Sequence, residues 1–410
     1  MLIPLAEAAP DTCGGKAGTL GALLRAGLPV PDGFAVPFAG YLDAVRDLRP
    51  GRPGGEPDDP AAARRAIEAR PLRPALAGAL EHALAGLGDP PVAVRSSAAG
   101  EDTGRASAAG QHESRLAVRG AGAVARAVRA CWASVFTPRA VDYRRAAGHR
   151  RSGDLMMAVL VQRHLDAEVS GVMFTPTNPG DVTRIEASFG LGPAVVAGTV
   201  TPDAYHVEAG GRVARTVADK RTRLDRLGTR LVEREVPAGD RNRPVLDDAA
   251  AAGLAGLGGR IAALLGGPQD IEWAIAGGRP WILQARPVTA ALPPVRPAAD
   301  VPAGALTGTG GSRGRVTGTA RVVRGSADFA RVRPGDILVC PCTDPGWTPL
   351  LRLAAGVVTE TGGVLAHAAI VAREYAIPAV LGVPDATRVI QDGTTITIDG
   401  TTGTVTAAAR

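Results

Sequence analysis

Short apolar runs separated by Gly- and Pro-rich breaks divide the chain into predicted strands and helices. Leucines at helical spacing predict a helix between Gly14 and Gly27, and further helices are predicted over 247–265 and after Gly363. Strand-like runs lie at 92–94, 157–161, 169–174, 182–187, 315–323, 336–340, 357–359 and 394–399. This mixture of strands and helices predicts a chain of the α/β (α+β) class.

The composition changes at one stretch, 290–314, which is rich in Pro, Ala and Gly. A chain of 410 residues exceeds what a single hydrophobic core usually organises. Pro-rich segments of this kind act as extended spacers between domains. We therefore predict a first domain over 1–289, a flexible linker over 290–314 and a smaller domain over 315–410.

The segment 270–286 reads as a β-hairpin, and its register brings polar side chains together. Centring the loop on Gly278 pairs Glu272 with Gln284 and Asp270 with Arg286, so these four residues share one face. The opposite face then carries Ile271, Trp273, Ile275, Trp281 and Leu283. A carboxylate beside an amide oxygen suits Mg²⁺ held against a nucleotide phosphate, and an arginine can grip that phosphate with two hydrogen bonds. The alternative is a polar face that simply meets solvent.

Two further basic residues are candidates for phosphate binding. Gly14 and Gly15 precede Lys16 at a predicted helix start, where backbone N–H groups and the helix dipole attract anions. Arg95 leaves a predicted strand and enters a Ser- and Gly-rich loop. The alternatives are a plain turn into a helix and an ordinary surface arginine. Of the 46 basic residues only Lys16 and Lys220 are lysines, which indicates sites that require a compact ammonium group.

His367 is the strongest single candidate for a catalytic residue. It follows a predicted strand and the turn Gly362-Gly363, and it opens a predicted helix. In the first helical turn the dipole disfavours the imidazolium, so the ring stays a neutral nucleophile, and the same dipole stabilises a phosphoryl group bound to it. The alternative is a solvent-exposed histidine at a helix start. No second His or carboxylate lies four residues further on, which argues against a metal site.

Charge and composition exclude several classes of function. The net charge is +6, but the basic residues are dispersed and only 3% of the chain is aromatic, so we expect no nucleic-acid binding. The longest apolar run falls short of the roughly 20 residues that cross a bilayer, and the first residues lack the pattern of a signal peptide. Four cysteines without a C-x-x-C pair indicate reduced thiols. We expect a cytoplasmic protein without a membrane partner.

The sequence resembles the phosphoenolpyruvate synthase, pyruvate phosphate dikinase and rifampin phosphotransferase family. The string TETGGVLAHAAIVAREYAIPAV at 359–380 resembles the phosphohistidine segment of that family. The strings GGK at 14–16, VPDGF at 30–34, VAVRSS at 92–97, AGQ at 109–111, VSGVMF at 169–174, QDIEW at 269–273 and LQARP at 283–287 resemble its ATP-grasp nucleotide domain. The motifs occur in family order along nearly the whole chain.

The resemblance implies a fold, an activity and a set of site residues. It implies an ATP-grasp domain of two subdomains over 1–289, followed by a swivelling β/β/α phosphohistidine domain. It implies that phosphate passes from ATP through phospho-His367 to an acceptor, a small metabolite or an antibiotic, with release of AMP. The implied ATP-binding residues are Lys16, Arg95, Gln111, Glu272, Gln284 and Arg286, of which Glu272 and Gln284 also bind Mg²⁺.

The sequence departs from the family pattern in three places. Leu365 and Ala366 precede the histidine where the family usually has hydroxyl or thiol residues, so we expect fewer hydrogen bonds to a phosphoryl group. Ala108 stands at a lid position where the family often has an aromatic residue. The pyruvate-binding barrel and the drug-binding domain of the family have no counterpart in these residues. An alternative is therefore the phosphocarrier subunit of a split phosphoenolpyruvate synthase-like enzyme, with the acceptor domain on a separate protein.

A nucleotide-binding regulatory protein without turnover is a third possibility. The complete set of candidate residues argues against it, because drift would be expected to lose some of them.

Overall fold

The structure is a computed structural model that describes residues 1–46, 59–99, 114–138, 140–141, 156–178, 180–288, 292 and 304–407. The helices are α1 (Pro10–Arg25), α2 (Phe38–Val45), α3 (Pro60–Ala69), α4 (Pro74–Gly86), α5 (Ala121–Ala133), α6 (Pro193–Val196), α7 (Asp248–Leu265), α8 (Thr348–Leu351), α9 (His367–Glu374) and α10 (Ala386–Val389). Short 3-10 segments lie at Leu5–Glu7, Ser134–Phe136, Ser326–Arg331 and Pro345–Trp347.

The strands of the first half are β1 (Ile3–Pro4), β2 (Gly33–Val36), β3 (Val92–Ala98), β4 (Ser114–Val118), β5 (Met157–Arg163), β6 (Val169–Phe174), β7 (Thr183–Phe189), β8 (Asp203–Val207) and β9 (Val213–Thr216). Those that follow are β10 (Thr222–Leu227), β11 (Arg230–Glu235), β12 (Gln269–Ala276), β13 (Arg279–Pro287), β14 (Leu306–Thr307), β15 (Thr309–Ser312), β16 (Arg315–Val322), β17 (Ile337–Cys340), β18 (Gly356–Thr359), β19 (Ala379–Leu381), β20 (Thr395–Asp399) and β21 (Thr404–Ala407). This mixed architecture confirms the predicted fold class.

The chain divides into two compact units. Unit 1 comprises residues 1–167, 225–232 and 263–289, and unit 2 comprises 168–224, 233–262 and 290–410. The domain boundary predicted at 289 stays a prediction.

Unit 1 is built on an antiparallel sheet with the strand order β1-β2-β5-β3-β4. Strand β5 is buried from Met157 to Gln162, as expected for a central strand with a near-continuous apolar sequence. Helices α3, α4 and α5 contribute to its core, in which Trp132 is 1% exposed. On unit 1 also lies the β12–β13 hairpin, and α1 packs against β3, β5 and β13.

Unit 2 contains an antiparallel meander and a larger mixed sheet. Strands β6 to β9 pair in sequence order. The second sheet has eight strands in the order β14-β21-β20-β16-β17-β18-β19-β15, with β16 to β19 parallel to one another. Its side chains alternate between two apolar clusters, with Leu338 and Val357 in one and Val339 and Val358 in the other. Apolar cores therefore cover both faces, as is usual for parallel strands.

The predicted flexible linker is wrong at its C-terminal end. Within 290–314, strands β14 and β15 pair with β21 and β19 of the eight-stranded sheet. Their sequence, LTGTGGS, carries the Gly content of a loop, but Gly308 and Gly310 approach other backbone closely, and a Cβ atom there would lie 2.4 Å from carbonyl oxygens of Leu381 and Gly400. These glycines indicate tight strand packing rather than flexibility.

Helix α7 is long and apolar enough, by length and composition alone, to cross a membrane. Its 18 residues have a hydropathy of 1.3, and 28% of them are buried inside the protein. Core helices of soluble proteins also reach these values. Here Leu254, Leu257 and Ile261 form a buried stripe at helical spacing.

Candidate active site

The polar face of the β12–β13 hairpin is only partly exposed to solvent, and the register predicted for its four polar residues is confirmed. Glu272 pairs with Gln284 and Asp270 with Arg286. Asp270 is 6% and Gln284 5% exposed, which argues against a polar face that merely meets solvent. Burial of this many polar groups requires partners for each of them. The polar face of the hairpin is therefore a candidate binding site.

Nearer the turn the register differs from the prediction. Ala276 pairs with Arg279, so the loop is Gly277-Gly278 rather than a loop centred on Gly278. Both glycines have positive φ, as tight two-residue hairpin turns require. A bulge between Glu272 and Trp273 inserts one residue, Leu283, and restores the predicted pairing further along. Ile282 takes the place opposite Trp273 and is fully buried.

Arg95 lies at the centre of the polar face of the hairpin. Its Nη2 atom donates to Glu272 Oε2 at 3.2 Å and to Gln284 Oε1 at 2.5 Å, while Nη1 donates to the carbonyl oxygen of Leu283 at 2.8 Å. The side chain is 13% exposed, so Arg95 is not an ordinary surface arginine. Strand β3 delivers it, since β3 continues through Ala98 beyond the predicted end at Val94.

The same oxygens fit the requirements of Mg²⁺. A carboxylate and an amide oxygen converge on one positively charged atom, Nη2 of Arg95, and hard oxygens in such an arrangement are typical Mg²⁺ ligands. Among the residues that the structure describes there is no cluster of three or more His, Cys, Asp or Glu. An ion bound by Glu272 and Gln284 would therefore take its other ligands from phosphate and water.

Arg286 forms an ion pair with Asp270 on the same face. Its Nε and Nη2 atoms lie 2.8 and 2.7 Å from Asp270 Oδ2, and the two side chains are 13% and 7% exposed. The carboxylate holds the guanidinium in place within the hairpin, so the position of this positive charge is fixed by its own strand pair.

Lys16 is a buried residue of helix α1, which consists of two helical segments joined at Gly14, so the segment that carries Lys16 begins where the sequence predicts a helix start. The helix is kinked at Gly14, where φ is +78° and ψ is 172°. A Cβ atom on Gly14 would lie 2.2 Å from the carbonyl oxygen of Ser97, so only glycine fits there. Ser97 Oγ in turn accepts from the N–H of Ala17 at 3.1 Å. The kink thus joins the segment that carries Lys16 to the strand that carries Arg95.

Gln111 and Ala108 lie outside the described residues. Of the predicted ATP-binding residues, the structure brings Arg95, Glu272 and Gln284 into direct contact and places Arg286 on the same hairpin face. Lys16 belongs to the same unit.

His367 is the first residue of helix α9 in unit 2, as predicted, and it is buried rather than exposed. The residue as a whole is only 6% exposed. Thr343 Oγ1 lies 3.0 Å from the Nδ1 atom, and Thr348 Oγ1 lies 3.5 Å from Nε2. Hydroxyl groups therefore stand at both ring nitrogens.

These two threonines were not predicted from the sequence. They come from the segment after β17, where Asp344 caps a 3-10 turn by accepting from the N–H of Gly346. The available signal was the cluster Thr-Asp-Pro-Gly-Trp-Thr at 343–348, directly after a predicted buried strand. Two hydroxyls thus lie near the ring although Leu365 and Ala366 supply none, and the expectation of fewer hydrogen bonds to a phosphoryl group stays a prediction.

Lys220, the second lysine, has a structural environment. Its Nζ atom lies 2.6 Å from Asp203 Oδ1 with both side chains fully buried, and it also donates to the carbonyl oxygen of Ala218 at 3.0 Å. The ammonium lies 5.7 Å from the centre of the Phe189 ring. A compact charge fits this enclosed position, in agreement with the interpretation of the rare lysines. All four cysteines are free thiols, as expected.

Comparisons with known proteins agree with this arrangement. Residues 10–296 match the family model described as pyruvate phosphate dikinase, AMP/ATP-binding domain. Residues 332–403 match the model described as PEP-utilising enzyme, mobile domain. The first of these contains the hairpin site and the second contains His367.

Three curated relatives illustrate the similarity. A probable phosphoenolpyruvate synthase of Methanothermobacter thermautotrophicus is 40% identical over 404 residues, which cover 92% of this chain and 59% of that protein. A probable phosphoenolpyruvate synthase of Archaeoglobus fulgidus is 38% identical, with coverage of 92% and 54%. The phosphoenolpyruvate synthase of Escherichia coli is 34% identical, with coverage of 92% and 53%. The chain thus spans about half the length of these relatives, and it belongs to the pyruvate phosphate dikinase and phosphoenolpyruvate synthase family.

Proposed function

We propose that this chain carries out the ATP half of a dikinase-type phosphotransfer, in which His367 receives a phosphoryl group from ATP and AMP is released. The phosphoryl group then passes from His367 to an acceptor. The observation that carries the proposal is a buried histidine at a helix start with hydroxyl groups at both ring nitrogens.

On the nucleotide side, the polar face of the hairpin supplies the groups that Mg·ATP requires. We assign Lys16, Arg95, Gln111 and Arg286 to the nucleotide, the cationic ones to its phosphates, and Glu272 and Gln284 to both ATP and Mg²⁺. The ion neutralises phosphate charge when bound. Since Arg95 Nη2 contacts the same two oxygens, Mg²⁺ would displace it from them, and the freed guanidinium can turn to a phosphate.

The two threonine contacts allow us to assign the ring proton of His367 to one nitrogen and the lone pair to the other. Nδ1–H donates to Thr343 Oγ1, the closer hydroxyl at 3.0 Å, which leaves the lone pair on Nε2. Nε2 attacks the β-phosphorus of ATP, a nitrogen–phosphorus bond forms, and the bond from that phosphorus to the bridging oxygen of the α-phosphate breaks. AMP leaves with that oxygen, and the terminal phosphate departs to water or inorganic phosphate. The Thr348 hydroxyl, 3.5 Å from Nε2, is placed to donate to the transferred group.

The acceptor is a small molecule, either a metabolite or an antibiotic, or it is bound by a separate acceptor-binding protein. Relatives named phosphoenolpyruvate synthase favour a metabolite, but this chain spans only about half their length. We propose a cytoplasmic location, which agrees with the use of ATP and with four free thiols.

The identity of the transferred phosphate tests this proposal. Mg·ATP labelled at the β position should leave acid-labile, base-stable label on the protein together with AMP in solution, because phosphohistidine is hydrolysed in acid. ATP labelled at the γ position should leave no lasting label once the terminal phosphate has departed. Lasting label from the γ position only, with ADP as product, would contradict a dikinase reaction.

A further inference from the structure

Glu186 is a buried carboxylate that holds the loop before His367. It lies on β7 and is 3% exposed. Its Oε1 atom accepts from the N–H of Val364 at 2.6 Å and its Oε2 atom from the N–H of Leu365 at 3.0 Å. Hydrogen bonds from two successive backbone N–H groups to one carboxylate fix both the position and the direction of the chain they belong to.

The loop is shaped to admit this carboxylate. A Cβ atom on Gly363 would lie 2.3 Å from both Glu186 oxygens, so the glycine makes the space that they occupy. A second contact reinforces the first, because Thr361 Oγ1 donates to the carbonyl oxygen of Gly198 at 2.6 Å. On the other side of the loop, Arg373 Nη1 donates to the carbonyl oxygen of Val364 at 2.7 Å.

The contact joins two segments of the chain that match different family models. Glu186 lies within the residues that match the AMP/ATP-binding domain, whereas Val364 and Leu365 lie within those that match the mobile domain. Both sides of the contact belong to unit 2. The segment that matches the mobile domain is thus hydrogen-bonded, just before His367, to strand β7 of the segment that matches the AMP/ATP-binding domain.

We propose that Glu186 is a positioning residue that docks the His367 loop on the ATP side of the reaction, through the N–H groups of Val364 and Leu365. This rests on the proposed function, in that docking matters because His367 is to be phosphorylated by ATP. Glu186 does not touch the reacting atoms. It sets where the start of α9 lies, and therefore where the imidazole lies, while the loop is docked.

Replacing Glu186 tests the proposal directly. Glu186→Ala should lower the rate of His367 phosphorylation by β-labelled Mg·ATP at least about tenfold, since both hydrogen bonds that hold the loop are lost. ATP affinity should stay within about twofold of the wild type, which a general loss of structure would not allow. Glu186→Gln keeps one acceptor and should recover some of the rate. The matched control is Glu208→Gln, which should behave as the wild type. Glu208 lies directly after β8 of the same sheet, but it is exposed and pairs with Arg212.

Gly363 provides an independent variant that leaves Glu186 in place. Gly363→Ala should slow phosphorylation because its methyl group occupies the position of the carboxylate. In the Glu186→Ala background the space is open, so the same Gly363→Ala change should cost little more. Fully multiplicative effects of the two changes would contradict the proposal, because they would show that the two positions do not act through one contact.

Amide hydrogen exchange separates the docking contact from the phosphotransfer itself. In the wild type the Val364 and Leu365 amides should be protected, and Glu186→Ala should speed their exchange at least about tenfold, whether or not ATP is used. Equal exchange or equal phosphorylation rates in wild type and Glu186→Ala would overturn the proposal for Glu186. A wild-type chain that fails to label His367 would contradict the proposed function, and exchange would then still decide whether the loop docks on Glu186.

Discussion

At the scale of single residues, Arg95 and His367 differ in which atoms hold their side chains. Arg95 is held by three oxygen atoms from one hairpin, all of which compete with its use on a phosphate. The ring nitrogens of His367 lie 3.0 and 3.5 Å from the hydroxyl oxygens of Thr343 and Thr348. Under the proposed function Arg95 exchanges these partners when nucleotide binds, whereas the ring nitrogens of His367 already have hydroxyl groups beside them.

The protonation of Glu186 links docking of the His367 loop to pH. Burial raises the pKa of Glu186 to about 7, although the N–H groups of Leu365 and Val364 and the charges of Arg373 and Arg184 act in the opposite direction. On the neighbouring strand, His206 lies opposite Arg184, and burial lowers its pKa. A Glu186 released into water would have its ordinary pKa near 4.5.

The direction of the pH effect on docking follows from the higher pKa of Glu186 in the docked form. Because the docked form holds the proton more tightly, docking is strongest below the ordinary pKa of Glu186 and weakens as the pH rises through about 7. The protection factors of the Val364 and Leu365 amides, corrected for intrinsic exchange, should fall severalfold between about pH 5.5 and about pH 8. In Glu186→Gln they should stay flat. A flat wild-type profile would show that Glu186 does not change its charge on docking.

The positions of single candidate residues in the fold could be predicted best from the sequence. His367, Arg95, Glu272 and Gln284 stand out because strand ends, a hairpin and a helix start place them by local rules. Thr343, Thr348 and Glu186 did not stand out. Their roles depend on contacts between segments distant in sequence, 24 residues for Thr343 and His367 and 178 for Glu186 and Val364, which periodicity does not report.

At the scale of elements, the kink in α1 is the feature that ties helix and strand together. Gly14 faces the backbone of Ser97 at a distance that excludes any side chain, whereas Gly27, after the same helix, has positive φ but nothing within 4 Å of its Cβ position. Both glycines thus have positive φ, and of the two Gly14 alone lies close to other backbone.

This pair gives a matched test of the kink. Gly14→Ala should lower ATP affinity at least about tenfold, because α1 must move from β3 and takes Lys16 with it. Gly27→Ala should leave ATP affinity unchanged and lower stability by only about 1–3 kcal/mol, the usual cost of an unfavourable backbone conformation. Calorimetric titration with Mg·ATP measures the ATP affinity of the two variants, and thermal unfolding measures their stability. Equal losses of affinity in the two variants would show that the close approach to Ser97 is unimportant for binding.

The register of the hairpin and the strands of 290–314 show how far element-level prediction reached. The pairing of Glu272 with Gln284 was predicted, since polar and apolar residues alternate there. The bulge was not, because one inserted residue depends on how Trp273 and Ile282 pack. Strands β14 and β15 were mistaken for linker because their small residues are selected by backbone contacts that composition does not show.

At the scale of the whole molecule, the two halves of the proposed chemistry belong to different compact units. Of the residues proposed to bind the nucleotide, those that the structure describes lie in unit 1, namely Lys16, Arg95, Glu272, Gln284 and Arg286, and His367 lies in unit 2. A change at the histidine should therefore remove phosphoryl transfer without removing nucleotide binding. A single substitution tests whether phosphoryl transfer and nucleotide binding are separate in this way.

The decisive measurement is the mapping of label after incubation with β-labelled Mg·ATP. In the wild type the label should lie on the peptide that contains His367. His367→Asn should take up no label and bind ATP with an affinity within about twofold of the wild type, and His82→Asn, at an exposed position of α4, should label normally. Label that persists in His367→Asn, or that maps to another residue in the wild type, would contradict the account.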